Sequence, residues 1–107
     1  MQPSPITEPV LLILVSLADQ PRHGYAILQD VEKMNGGRAR LSTGTLYGAL
    51  RRLLEDGWIE RFKEEDSPRG RQAYRLTPRG RRNLQLEVSR LKHLTRLAGL
   101  RVARKEM

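Results

Sequence analysis

Only two histidines, His23 and His93, and no cysteine occur in the 107 residues, so the groups that most often bind metals or attack substrates near neutral pH are scarce. Neither histidine has a partner at a spacing typical of a metal site, and Gly36-Gly37 lacks the Lys-Ser/Thr that completes a phosphate-cradling loop. No catalytic residue, metal or cofactor is therefore expected, and the chain is not expected to be an enzyme. The remaining chemistry is hydrogen bonding and positive charge. It is densest in Leu41-Ser-Thr-Gly-Thr-Leu-Tyr-Gly-Ala-Leu-Arg-Arg-Leu53, where Ser42, Thr43, Thr45, Tyr47 and Arg51 interleave with Gly44 and Gly48.

An element that would hold these groups follows from the same stretch. Ser42 suits the cap of a helix over 43–56 that Gly57 ends. At about 100° per residue, Leu46, Ala49, Leu50, Leu53 and Leu54 share one face. Gly44, Gly48, Arg51 and Glu55 collect opposite, flanked by Thr45, Tyr47 and Arg52. Each glycine costs about 1 kcal/mol against alanine within a helix. Bare positions at a helix N-terminus let the backbone approach a partner closely, and the free N–H groups there favour phosphate. A helix that enters a major groove presents its N-terminal residues in this way. Taken alone, a solvated face with two tolerated glycines fits equally well.

The rest of the chain supplies the frame. Thr7 caps a first helix over about 8–19, apolar nearly all round and so central to the core. Gln20 to Gly24 breaks it. A second helix over about 24–35 aligns Ile27, Leu28, Val31 and Met34, and Asn35-Gly36-Gly37 stops it in a left-handed cap. Residues 38–41 are expected to be extended. Trp58–Lys63 and Arg71–Leu76 read as a hairpin around the polar turn 64–70, and Thr77-Pro78 opens a last helix to about residue 104. The expected fold class is thus mostly α with a small β-hairpin, in the order of a winged helix-turn-helix followed by one long C-terminal helix.

Charge narrows the partners. Twenty Lys+Arg oppose twelve Asp+Glu, a net charge of +8, which favours polyanions. Between Ser67 and Leu86 there is no acidic residue, while Arg69, Arg71, Arg75, Arg79, Arg81 and Arg82 all fall there, where a wing would meet a phosphate backbone. His23, just before the second helix, suits the same backbone. The apolar run 10–17 is too short to span a bilayer and the N-terminus does not look like a signal peptide, so a cytoplasmic protein without a membrane partner is expected.

Leu11-Leu-Ile-Leu-Val-Ser-Leu-Ala18, His23-Gly-Tyr-Ala-Ile27, Leu41-Ser-Thr-Gly-Thr-Leu-Tyr47, Leu50-Arg-Arg-Leu53, Glu55-Asp-Gly-Trp-Ile-Glu60 and Tyr74-Arg-Leu-Thr77 with Gly80 together resemble the PadR family of bacterial transcriptional regulators over about residues 8–85. The resemblance implies a dimeric repressor on palindromic double-stranded DNA, of the short-tailed branch. Residues 1–77 would form the DNA-binding unit and 78–107 the dimerisation helix. By matching position it puts Ser42, Thr43, Thr45 and Tyr47 against the bases, Tyr25 against the backbone, and Arg69 and Arg71 in the wing. Gly48 departs from the larger residue or proline common in the family. Some members bind a planar small-molecule effector between protomers on a tryptophan of the last helix. Here no aromatic follows Tyr74, so an effector has no signature.

Along the last helix, Leu84, Val88, Leu91, Thr95, Ala98 and Val102 recur at steps of four and three, and a second apolar set, Leu86, Leu94, Leu97 and Leu100, lies partly off that stripe. One small domain cannot bury both sets, so a homodimer with this interface is expected, the alternative being a helix folded back on its own core. A winged helix that docks only protein, or one that binds RNA, remains open on the residues alone. The shortage of exposed aromatics speaks against the RNA reader.

Overall fold

In the computed structural model, residues 6–38, 40–63 and 72–106 are described. Four helices and a small sheet follow in the order α1 (Glu8–Ser16), β1 (Arg22–His23), α2 (Gly24–Met34), α3 (Thr43–Glu55), β2 (Ile59–Lys63), β3 (Gln72–Leu76) and α4 (Pro78–Glu106).

Local chemistry sets the boundaries. Thr7 caps α1 by accepting a hydrogen bond from the Val10 N–H, with Glu8 and Pro9 in the first turn. α1 stops at Ser16, short of the expected residue 19, with Leu17 as its C-cap. Gly36 and Gly37 both take positive φ after α2, and the Gly37 N–H returns to the Glu32 carbonyl. The segment after them, expected to be extended, carries no strand among its described residues. Gly57, at φ 74°, ends α3 and frees the Trp58 N–H to bond the Leu53 carbonyl.

One strand went unread in the sequence. Arg22 and His23, assigned there to a breaker, pair antiparallel with Tyr74 and Ala73. The hairpin is therefore part of a three-stranded sheet with β3 in the middle. Ala73 and Tyr74 are buried there between two neighbours.

The core collects Ile13, Leu14 and Leu17 from α1 and its end, Ile27 and Val31 from α2, and Leu46, Leu50 and Leu53 from α3. Ile59, Tyr74 and Leu84 close it from the sheet and α4. Met34, expected on the buried face of α2, is instead exposed at its last turn.

The junction between α3, the sheet and α4 is tight. The Thr77 hydroxyl donates to the Gly57 carbonyl at 2.6 Å and accepts from the Gly80 N–H at 3.1 Å. The Thr77 N–H bonds the Trp58 carbonyl at 3.0 Å. Gly80 is buried, and a methyl group there would overlap the Trp58 carbonyl oxygen. The first turn of α4 is thus hung on the turn that ends α3. Beyond Leu91 the described residues of α4 are nearly all exposed, and the molecule measures 60 × 34 × 23 Å.

Candidate nucleic-acid interface

The outward face of α3 is as open as its periodicity implies. Thr43, Gly44, Thr45, Tyr47, Gly48 and Arg51 are all exposed, while Leu46, Leu50 and Leu53 are buried behind them. A side chain at Gly48 would meet nothing within 4 Å, and one at Gly44 only the Ser42 hydroxyl at 4.0 Å. The helix start therefore presents a strip of bare backbone.

Ser42 and Thr45 form a small device at that start. Ser42 Oγ accepts from the Thr45 N–H at 3.0 Å and donates to Thr45 Oγ1 at 2.9 Å. Its proton is thereby committed, which leaves the Thr45 hydroxyl to donate outward. Ser42 acts first as cap and orienter, and Thr45 offers the free donor.

Tyr47 turns back across α2. A Cβ at Gly24 would lie 2.7 Å from its hydroxyl oxygen and 3.2 Å from the ring carbon that bears it, so glycine at 24 lets the ring settle over the α2 N-terminus. The sequence signal for this contact was the glycine beside His23, and its partner 23 residues away was not readable. His23 is the N-cap residue of α2, with Nδ1 3.2 Å from the Gln72 carbonyl. His23, Gly24, Tyr25, Tyr47, Gln72 and Tyr74 line an open groove of about 480 Å³ beside the sheet. Tyr25, 68% exposed, stands at its mouth. The fold thus brings Tyr25, His23 and Tyr47 from two sequence regions to one place.

Arg69 and Arg71, expected in the wing, lie outside the described residues. Arg75, read in the sequence as part of an uncompensated cluster, has a counter-charge. It faces Glu60 across the β2–β3 ladder, bonds Glu60 Oε1 at 2.8 Å, and stacks 4.8 Å from the Phe62 ring centre. Arg81 is also engaged, donating to the Ala18 carbonyl at 3.0 Å. Arg79 and Arg82 are exposed, with no ion pair among the described residues. Arg22 was not singled out. It is a structural clamp, with Nε donating to the Ser16 carbonyl and the guanidinium 3.6 Å from Asp19 and 3.7 Å from Asp30.

The heptad-like stripe of α4 divides. Leu84 belongs to the chain's own core, because the first two turns of α4 pack on α1 and β3. Expected at a partner interface, it is only 6% exposed within one chain. Val88, Leu94, Thr95, Ala98 and Val102 are exposed and Leu91 is half-buried, so the apolar face left uncovered begins one turn later. Thr95 donates its hydroxyl to the Leu91 carbonyl, which hides its polarity within the stripe. Glu87 is buried and held by Arg90 in a two-bond fork of 2.6 and 2.9 Å. Hydrogen bonding from Arg90, more than its charge, holds the Glu87 carboxyl below the usual carboxylate range.

Among the described residues no group of histidines and carboxylates could hold a metal, and no helix is long and apolar enough to cross a membrane.

The model of the PadR-like family of transcriptional regulators matches residues 13–86. A 37.1 kDa uncharacterized protein in transposon Tn4556 of Streptomyces fradiae is 41% identical over 86 residues, 79% of this chain and 23% of that protein. The chain thus spans under a quarter of that relative's length. A transcriptional regulator of Mycobacterium tuberculosis is 36% identical over 86 residues, 80% of this chain and 78% of that one. Among solved structures, a PadR-like regulator of Bacillus cereus superposes with a TM-score of 0.75 at 20% identity, covering 88% of this chain and 90% of that one. Bacillus subtilis PadR, solved in complex with operator DNA, gives 0.68 at 21% identity over 78% of this chain and 48% of that one. At such identities the structures establish a shared fold. With the family model spanning 13–86, more than half of the residues, the chain belongs to the PadR-like family of transcriptional regulators.

Proposed function

We propose that this chain is a cytoplasmic, homodimeric repressor that binds a two-fold symmetric operator, reading bases with the outward face of α3. One surface carries the proposal: the exposed strip Thr43, Thr45, Tyr47 and Arg51 around the bare Gly44 and Gly48, at the start of a helix whose N–H groups and dipole favour phosphate. Residues 1–77 are then the DNA-binding unit, with Tyr25 and His23 beside the sugar–phosphate backbone and Arg69 and Arg71 in the wing. The operator complex of Bacillus subtilis PadR supports duplex DNA as the partner.

In this reading residues 78–107 form the dimerisation helix, with Val88, Leu91, Leu94, Thr95, Ala98 and Val102 against a second copy. The length of apolar face left uncovered on one chain supports it. A two-fold dimer presents two copies of α3 to two half-sites, which is why a palindrome follows. A small-molecule effector that loosened this seam would release the operator, and any pocket there would have aliphatic walls.

Selection of bound fragments from random duplex DNA tests the proposal. A two-fold symmetric consensus is expected. Recovery without sequence enrichment would leave only a protein-docking or non-specific role and overturn it.

A further inference from the structure

The positive charge is not concentrated where base reading is proposed. Residues 1–77 carry 11 Lys+Arg and 10 Asp+Glu, a net of +1, whereas residues 78–107 carry 9 and 2, a net of +7. Nearly all of the excess charge therefore belongs to the long helix. Of its two carboxylates, Glu87 is already held by Arg90.

The cations on α4 are ordered. At about 100° per residue, Arg79, Arg82, Arg96, Arg101 and Arg104 fall within about 140° of the helix circumference. That arc lies opposite the one holding Val88, Leu91, Thr95, Ala98 and Val102, while Leu94 borders it beside Arg101 and Leu86, Leu97 and Leu100 fall within it. All five arginines are exposed and none has an ion-pair partner among the described residues. From first to last they span about 38 Å at 1.5 Å per residue. Like charges one turn apart, as at Arg79 and Arg82 or Arg101 and Arg104, weaken a helix, so the row is unfavourable until an anion lies along it. A duplex supplies such an anion, with about one charge per 1.7 Å of axis. Arginine also bridges phosphate oxygens through two N–H groups.

Resting on the DNA-binding reading above, we infer that the arginine row of α4 is a second duplex-DNA surface, which grips phosphates without regard to base sequence. Its position opposite Val88, Leu91, Thr95, Ala98 and Val102 lets the row and that part of the seam be occupied in one dimer, with Leu86, Leu97 and Leu100 lying between the arginines. α3 then supplies discrimination, and α4 supplies much of the salt-sensitive affinity. The phosphates come from DNA flanking the operator or from a second segment of duplex.

The test is the full-length variant Arg82→Gln/Arg96→Gln/Arg101→Gln/Arg104→Gln. Its binding to the selected operator and to a scrambled duplex is titrated between about 50 and 200 mM salt. Because each dimer carries two rows, eight arginines are lost, and the slope of log K against log salt should fall by up to about seven units on both duplexes, with the operator-to-scrambled ratio and the dimer mass unchanged. If the fall needs a long duplex, the phosphates flank the operator. Capture of a second short duplex by wild type, lost in the variant, assigns them to another segment. Should circular dichroism show the quadruple variant unfolded, Arg82→Gln/Arg96→Gln and Arg101→Gln/Arg104→Gln should each lower the slope by up to about three to four units. An unchanged slope overturns the inference, as does a variant whose sole defect is lost binding to anionic vesicles. A wild-type protein that selects no operator sinks the repressor reading instead, so the two failures are distinguishable.

Discussion

Replacing Gly48 and Gly80 by alanine makes the same chemical change on two helices, and the structure demands opposite results. At Gly48 a methyl group meets nothing within 4 Å, so the substitution recovers the helix propensity of alanine, about 1 kcal/mol. At about 4–8 °C per kcal/mol for a domain near this size, the melting temperature should rise by a few degrees. At Gly80 the methyl group overlaps the Trp58 carbonyl oxygen. The first turn of α4 must back away, at a cost of about 1–3 kcal/mol, with strain on the Thr77 bonds to Gly57 and Trp58. Calorimetry at one protomer concentration, with urea titration beside it, reads both. Operator titration supplies the third measurement: Gly48→Ala should bind its site several-fold more weakly although it is more stable. A Gly48→Ala protein that is stabilised and binds unchanged would refute the idea that bare backbone on α3 serves a close approach. A Gly80→Ala protein as stable as the parent would refute the packing account of the junction.

Thr45→Ala combined with Tyr47→Ala should flatten the preference for operator over random duplex while leaving binding to random duplex nearly intact, measured by competition titration. Ser42→Ala removes both the cap and the hydroxyl that orients Thr45, so it should lower stability by about 1 kcal/mol in urea and also weaken discrimination. Leu50→Ala, at the buried centre of α3, should cost about 2–5 kcal/mol, read as a lower urea midpoint with an unchanged slope. Glu87→Gln tests the fork with Arg90. Because the Glu87 carboxyl is held below its unfolded value, its stabilising contribution is present above the ordinary glutamate range and disappears as pH falls through the folded value. The gap in urea midpoint between wild type and Glu87→Gln should therefore be open at neutral pH and closed in strong acid.

The helices and most of their ends, though not the end of α1, were legible because they are announced by adjacent residues. Thr7, Ser42 and Thr77-Pro78 start helices, while Gly36-Gly37 and Gly57 stop them, and none of these signals needs a distant partner. The exposed face of α3 followed from periodicity alone. Four unread features depend on long-range contacts. A two-residue strand at Arg22–His23 exists only through β3, about fifty residues on. Arg75 looked uncompensated until strand register set it beside Glu60. Leu84 fits the apolar count of a helix seam, but counting cannot distinguish a helix's own domain from a neighbour. Tyr47 lies across Gly24 because α2 and α3 pack together, and nothing near either residue states it.

The Thr77–Gly57–Trp58 junction makes one rigid elbow of the end of α3 and the root of α4. A tilt introduced at the far tip of the long rod must therefore swing the short one that precedes it. In a paired molecule, the distance between the two prows would then depend on how the rods lean together. Substitutions among their touching leucines could retune that distance while every base-facing atom stayed as it was.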